Sequence, residues 1–304
     1  RRTPRGGAPG PRTGARRRPA GGRVTRHALG RLDGSADDGF ALVPTSFARR
    51  AGTAPGTAGD YSRFKHGDGA VAARYGEALA LAYLASGRAH GPLLVTSSGY
   101  DVAPPAAAAL LPAFAATLAA HGHDARCVVV RRHTPSDGDY ATWGAAQRRA
   151  RLRPAHLEAP GDVRGAHVVA LDDVRVTGAH EHAVHAALRT AGARHVDHLY
   201  VVQVPRSRTA SVEAELNAAS VRDAEDVLVL AAEPEYVPNA RVARLLLALA
   251  PPVLDDVLCR APRGLVTWLG DVALRDRFAT LPRYVAGAER VRAAGERAYR
   301  LAAR

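Results

Sequence analysis

Lysine is almost missing from this chain. Of 42 basic residues, 41 are Arg and the single Lys is Lys65. A compact ammonium kept against such a drift toward guanidinium marks Lys65 as a candidate phosphate contact. Cysteine is scarce too: Cys127 and Cys259 have no CxxC partner and no ligand spacing, which argues against a thiolate metal cluster or a disulfide scaffold. Cys127 lies in an apolar strand pattern, so a buried thiol in a reducing cytoplasm is expected. No apolar segment follows the charged N-terminal stretch as a secretory leader requires. The longest uncharged run, Val102 to Ala120, is mostly Ala broken by three Pro, too weak for a membrane span. No GxGxxG follows an early strand, which argues against a dinucleotide-dependent dehydrogenase. Methionine is absent altogether, which leaves the boundary of the N-terminal tail open.

The charge that is present is unevenly placed. Residues 1–59 hold 12 Arg and 3 Asp, a net +9, whereas residues 60–304 hold 30 basic and 26 acidic residues, a net +4. The first segment is rich in Arg, Gly and Pro with few large apolar residues, so 1–59 is expected to be a disordered basic tail that could touch nucleic acid. At 304 residues the remainder is long enough for one large domain or two small ones.

The most informative stretch is HVVALDDVRVTGAH, His167 to His180. Val168 to Leu171 is a short apolar run suited to a strand buried on both faces. Asp172 and Asp173 follow, then a turn ending in Thr177-Gly178-Ala179, then a helical pattern through Leu188. Backbone N–H groups at such a turn and helix start suit a phosphate, and paired carboxylates at the strand end suit sugar hydroxyls. A ribose 5-phosphate carries both.

Strand, acidic pair, Thr-Gly and small residue together resemble the binding signature of the type I phosphoribosyltransferases. His180-Glu181, where many members carry Thr or Ser at the first of the two positions, is similar to a ComF-like branch of that superfamily. The resemblance implies an α/β fold: a parallel-sheet phosphoribosyltransferase-type (Rossmann-like three-layer) core, a helical C-terminal hood and the disordered basic tail. It implies that Asp172 and Asp173 hold the ribose 2- and 3-hydroxyls of 5-phospho-α-ribose 1-diphosphate (PRPP). Val176, Thr177, Gly178, Ala179 and His180 would hold its 5-phosphate. The turn after the strand PLLVTS, namely Ser97, Ser98, Gly99 and Tyr100, would hold the diphosphate, although the basic residue often found there is missing. Arg131 and Arg132, where a long polar stretch (131–161) leaves the next strand (125–130), would steady the departing diphosphate, and a loop there would close over the site. Mg²⁺ is the implied cofactor, bridging PRPP oxygens and touching Asp172 and Asp173 at most.

Further strands are expected at Val196 to Val204 and Val227 to Ala232, with helices from Pro234 onward. The domains expected are therefore a tail (1–59), a core with an N-terminal hood segment (60–233) and a C-terminal helical hood (234–304). Two further patterns fail as metal sites. His180, Glu181, His182 and His185 miss HExxH because position 184 is Val, and Asp255-Asp256 sits near a helix start, where acids complement the dipole. The function expected is transfer of ribose 5-phosphate from PRPP to a nucleobase or amine nitrogen, as a cytoplasmic enzyme. The partners expected are PRPP, the acceptor, a weak nucleic-acid contact of the tail and a second copy in a homodimer, with no membrane. The alternative is a PRPP- or nucleotide-sensing protein without turnover.

Overall fold

The computed structural model describes residues 24–35, 39–134, 154–205, 208 and 211–302. Strand β1 (Thr25–Ser35) turns into β2 (Gly39–Pro44), and helices α1 (Ser46–Arg50), α2 (Ala58–Lys65) and α3 (Gly69–Ala85) follow. Then come β3 (Leu93–Thr96), a 3₁₀ turn (Ala106–Leu110), α4 (Leu111–Ala120), β4 (Ala125–Cys127), β5 (Arg131–Arg132) and β6 (Leu157–Glu158). The central unit is β7 (His167–Arg175), α5 (Ala179–Thr190) and β8 (His195–Gln203). The rest is helical: α6 (Val212–Asn217), α7 (Ala224–Ala231), α8 (Ala240–Leu247), α9 (Pro251–Arg260), α10 (Arg263–Arg275) and α11 (Val285–Ala302).

Six strands form one sheet in the order β2-β1-β8-β7-β3-β4, parallel throughout except for the β1/β2 hairpin. The α/β fold with a parallel-sheet core is thus as the sequence implied. β7 is central and alternates its side chains. Val169 and Leu171 join the core beneath α3 and α4, while Val168 and Ala170 pack with Val184 and Leu188 of α5 on the other face. Chain order leaves β3 for β4 in one direction and β7 for β8 in the other. The crevice between β3 and β7 is therefore the topological switch point, where open α/β sheets bind ligands.

Four expectations are corrected. Residues 25–35 and 39–59 are no tail: β1 pairs in parallel with β8, and Leu29 and Leu32 are wholly buried. An Arg- and Gly-rich composition hid them, because a strand that lies on an existing sheet needs only a few apolar side chains on its inner face. Residues 1–23 lie outside the described residues. The expected strand at 227–232 is helix α7, whose Val227 and Leu230 pack into the separate core of the C-terminal helices. A short apolar run cannot by itself separate a buried strand from a buried helix, and the hood begins before residue 234. Cys127 is exposed on the edge strand β4, not buried. In the long polar stretch, Arg131 and Arg132 pair antiparallel with Glu158 and Leu157, so its two ends meet, and the loop expected to close over the site lies mostly outside the described residues.

Among the described residues no helix is long and apolar enough to cross a membrane. Leu29 separates the strand from the tail reading. If β1 is part of the sheet, Leu29→Ala lowers the unfolding free energy by about 2–5 kcal/mol, read from urea denaturation. A change near zero would return the segment to a tail.

Candidate functional site

The cleft at the β3/β7 switch point is lined by Ser98, Gly99 and Tyr100 after β3, by Asp172 to His180 after β7, by Arg132, and by residues of the C-terminal helices. β7 runs on through the acidic pair to Arg175, so Asp172 and Asp173 leave the strand on opposite faces. Asp172 accepts a hydrogen bond from Ser98 Oγ at 3.0 Å, and His180 Nδ1 stands 3.7 Å from its other oxygen. Asp173 turns the other way and receives the Lys65 ammonium. The two carboxylates thus flank the strand end rather than chelating one point.

Burial and the neighbouring Asp173 push the Asp172 carboxyl up to about 8, against the pull of Ser98 and Lys65. His180 is pushed down to about 4 by burial and by Arg132, which keeps its imidazole neutral at pH 7. Lys65 ends α2 and is itself mostly buried. Its backbone carbonyl accepts from Asn239 Nδ2 at 3.2 Å, and Arg241 Nε donates to His66 Nε2 at 3.1 Å. The helix carrying the lone Lys is therefore tied to the start of α8.

The turn after β7 is built for close approach. Gly178 has φ +73°, and Thr177 Oγ1 accepts from Ala179 N at 3.3 Å. The first-turn N–H groups of α5 have no carbonyl partner within the helix, and Thr177 is exposed. Gly99 is close-packed in a different way: a Cβ there would come within 2.6 Å of Leu157. Glu181, the second residue of His-Glu, is buried and accepts from Arg26 Nε at 2.6 Å, Arg175 Nε at 2.8 Å and the Tyr200 hydroxyl at 2.9 Å. Burial alone would raise its pKa, but these donors hold it below the usual value. It fastens α5 to β1, β7 and β8 beneath the turn.

Not every residue named from the sequence reaches the cleft. Ser98, Gly99, Tyr100, Arg132, Asp172, Asp173, Val176, Thr177, Gly178, Ala179 and His180 line it. Ser97 is buried just behind the turn, and Arg131 is exposed on the β5/β6 ribbon, so neither lines it. That removes Arg131 as a direct contact: alternation along the two-residue strand turns Arg132 inward and Arg131 outward. Lys65 does not line the cleft either and acts through Asp173. Among the described residues no three His, Cys, Asp or Glu side chains gather as a metal cage. His185 instead lies 3.2 Å from His198, and Asp255 pairs with Arg290.

The sequence reading missed the roof. Arg241 and Arg244 of α8, together with Arg277 and Phe278, line the cleft opposite the acidic pair. Arg244 lies over the Phe278 ring at 4.9 Å. Asp276 accepts from the N–H groups of Val102 (3.2 Å), Ala103 (2.8 Å) and Phe278 (3.1 Å), and Arg277 Nε lies 3.3 Å from Asp101. The signal was present as two Arg three residues apart, opposite the apolar stripe of α8, a pattern identical to an ordinary solvated face.

A family model described as "PRTase ComF-like" matches residues 49–287. No curated protein matches the chain at a significant level.

The raised Asp172 pKa has a consequence for stability. Between the unfolded value near 4 and about 8, the folded protein holds a proton that the unfolded chain gives up, so this group's contribution falls as pH rises through that window. Asp172→Asn is therefore expected to raise the denaturation midpoint at pH 8 relative to the parent. The gain shrinks as pH approaches 4, read from unfolding curves at several pH values. An Asn variant less stable than the parent at pH 8 would contradict the assignment.

Proposed function

The chain belongs to the ComF-like phosphoribosyltransferase family, and from that premise we propose that it transfers ribose 5-phosphate from PRPP to a nitrogen acceptor, a nucleobase or amine, with release of pyrophosphate. One observation carries the reading. A single cleft takes in the acidic pair, the Thr177–His180 turn and the Ser98–Tyr100 turn, at spacings along two adjacent parallel strands. The first set suits a vicinal diol, the second a terminal phosphate and the third a diphosphate.

The 5-phosphate sits at the N-terminus of α5, where the exposed Thr177 hydroxyl and the amides of Gly178 and His180 offer donors, and the Ala179 amide, now on Thr177 Oγ1, lies beside them. A neutral His180 donates or accepts a hydrogen bond there without adding charge. Asp172 and Asp173 take the ring hydroxyls from either side, Ser98 holding Asp172 and Lys65 holding Asp173. The acceptor nitrogen forms its bond to the anomeric carbon as the bond to the diphosphate oxygen breaks, and the electron pair leaves with pyrophosphate. The acceptor's proton passes to solvent. Arg132, with Arg244 and Arg277 in the roof, opposes the charge that grows on the leaving group, the step where fixed cations count most. Mg²⁺ keeps its waters and takes one or two carboxylates together with phosphate oxygens, and the acidic pair lining the cleft offers carboxylates of that kind. Because the two leave the strand on opposite faces, Asp172 or Asp173 singly would hold it, and it would neutralise charge on the diphosphate.

Lys65 is a positioning residue here. It sets the direction of Asp173 from a buried place, as a compact ammonium and not a planar guanidinium fork.

The acceptor is found by a PRPP-dependent pyrophosphate-release screen across bases and amines. Release with one of them supports transfer, and PRPP binding without release from any supports a sensor instead. With Asp172→Asn and Asp173→Asn together, PRPP binding measured calorimetrically in Mg²⁺ is expected to vanish, and unchanged affinity would discard the diol assignment. Lys65→Arg is expected to lower kcat/KM for PRPP by about tenfold or more, on the order of 1.4 kcal/mol of transition-state binding. Unchanged turnover and KM would end the positioning role.

A further inference from the structure

A second concave surface lies at the other end of the sheet, beside the N-terminal ends of β1, β3, β7 and β8, with a volume of about 1000 Å³. Arg88 and His90 come from the α3–β3 connection, Arg164 from the turn before β7, Arg194 from the α5–β8 connection and His195 from the start of β8. Arg88, Arg164 and Arg194 are all exposed.

The acidic groups in this groove are already engaged. Asp162 takes the Arg126 guanidinium at 2.6 Å, and Asp197 accepts from the Tyr83 hydroxyl at 2.9 Å with His167 Nε2 at 2.9 Å. Among the described residues no carboxylate pairs with Arg88, Arg164 or Arg194. The groove therefore offers charge-assisted donors that no carboxylate among the described residues already pairs with.

The loops that carry these arginines are fixed to one another. Gly165 N donates to Gly192 O at 2.8 Å, and Arg194 N donates to Ala166 O at 2.8 Å. Gly192 has φ +96°, and a Cβ there would approach Arg164 Cγ to 3.3 Å, so the Arg164 stem lies along a bare backbone. Arg189 Nη1 donates to the carbonyls of Ala193 (2.6 Å) and Arg194 (2.7 Å), closing the end of α5. Rigid mounting lowers the entropy cost of using these side chains together.

We infer that this groove is a second anion site, distinct from the cleft at the strands' carboxyl ends, that takes a condensed oligophosphate chain. Three guanidiniums on three separate loops, with two imidazoles beside them, match an anion that carries several charges along its length better than one isolated phosphate. Thr25, the first residue of β1, also lines the groove.

The full chain is titrated calorimetrically with inorganic triphosphate and, separately, with ATP. The variant R88A/R164A/R194A is expected to weaken one binding event by tenfold or more. The charge-matched R31A/R222A/R263A, which alters exposed arginines outside the groove, stays within twofold of the parent. R132A, in the other cleft, keeps the event that the groove variant loses. R88A/R194A leaves Arg164 on Gly192 and weakens the same event, which covers a failure of the triple variant to fold. Equal binding of triphosphate and ATP means that the phosphate chain alone is read, and tighter ATP that the nucleoside also touches the groove; both support the site. Parent-like binding by the groove variants, an equal loss in the charge-matched control, or loss of the same event in R132A overturns it.

Discussion

Everything at the cleft depends on one abrupt change along β7. Val168 to Leu171 are buried among apolar neighbours on both faces, and the next two residues on the same strand are carboxylates. Holding charge at the end of a hydrophobic strand is unfavourable unless partners are supplied from outside the strand. They come from three directions: Ser98 from the β3 turn, His180 from α5 and Lys65 from α2. Each of those elements is thereby held at a set place relative to β7, and the Asp172 carboxyl still stands well above the usual carboxylate range. A poorly stabilised acidic group is thus left lining the cleft.

The helical hood is part of this arrangement and not an appendage. It has its own apolar core, running from Val221 to Val291. Directional polar contacts join it to the rest of the chain: Asn239 to the Lys65 carbonyl, Arg241 to His66, and Asp276 to the amides of Val102 and Ala103. A polar seam sets orientation through directional bonds, whereas a purely apolar one tolerates sliding. Asn239 and Arg241, at the start of α8, thus tie one side of the roof to the helix that carries Lys65. Family membership fits this division, because the match at residues 49–287 spans most of the sheet and nearly all of the hood.

Two ends of one parallel sheet are used differently. At the carboxyl ends the chain places acids beneath a roof of arginines, and at the amino ends it places arginines over acids that are already paired. β7 contributes to both, with His167 at one end and the acidic pair at the other. β8 does likewise through His195 and Tyr200.

Local pattern alone determined the β7–turn–α5 unit and the identity of the acidic pair. These rest on interactions between residues close in sequence: strand alternation, a left-handed Gly at the turn, and the N-terminus of the following helix. Composition misled where a segment is completed by distant partners. β1 looks like tail until β8 supplies its hydrogen bonds, and Val227 to Ala231 looks like strand until the other hood helices surround it. The lone Lys65 was legible as unusual, but its partner was not. Pairing with Asp173, 108 residues away, exists only because α2 and β7 are brought together. The inward turn of Arg132, the outward turn of Arg131 and the aim of Arg241 and Arg244 were likewise decided by tertiary structure. A side chain's chemistry is written in the sequence, but the direction in which it points is set by whatever the rest of the chain packs against it.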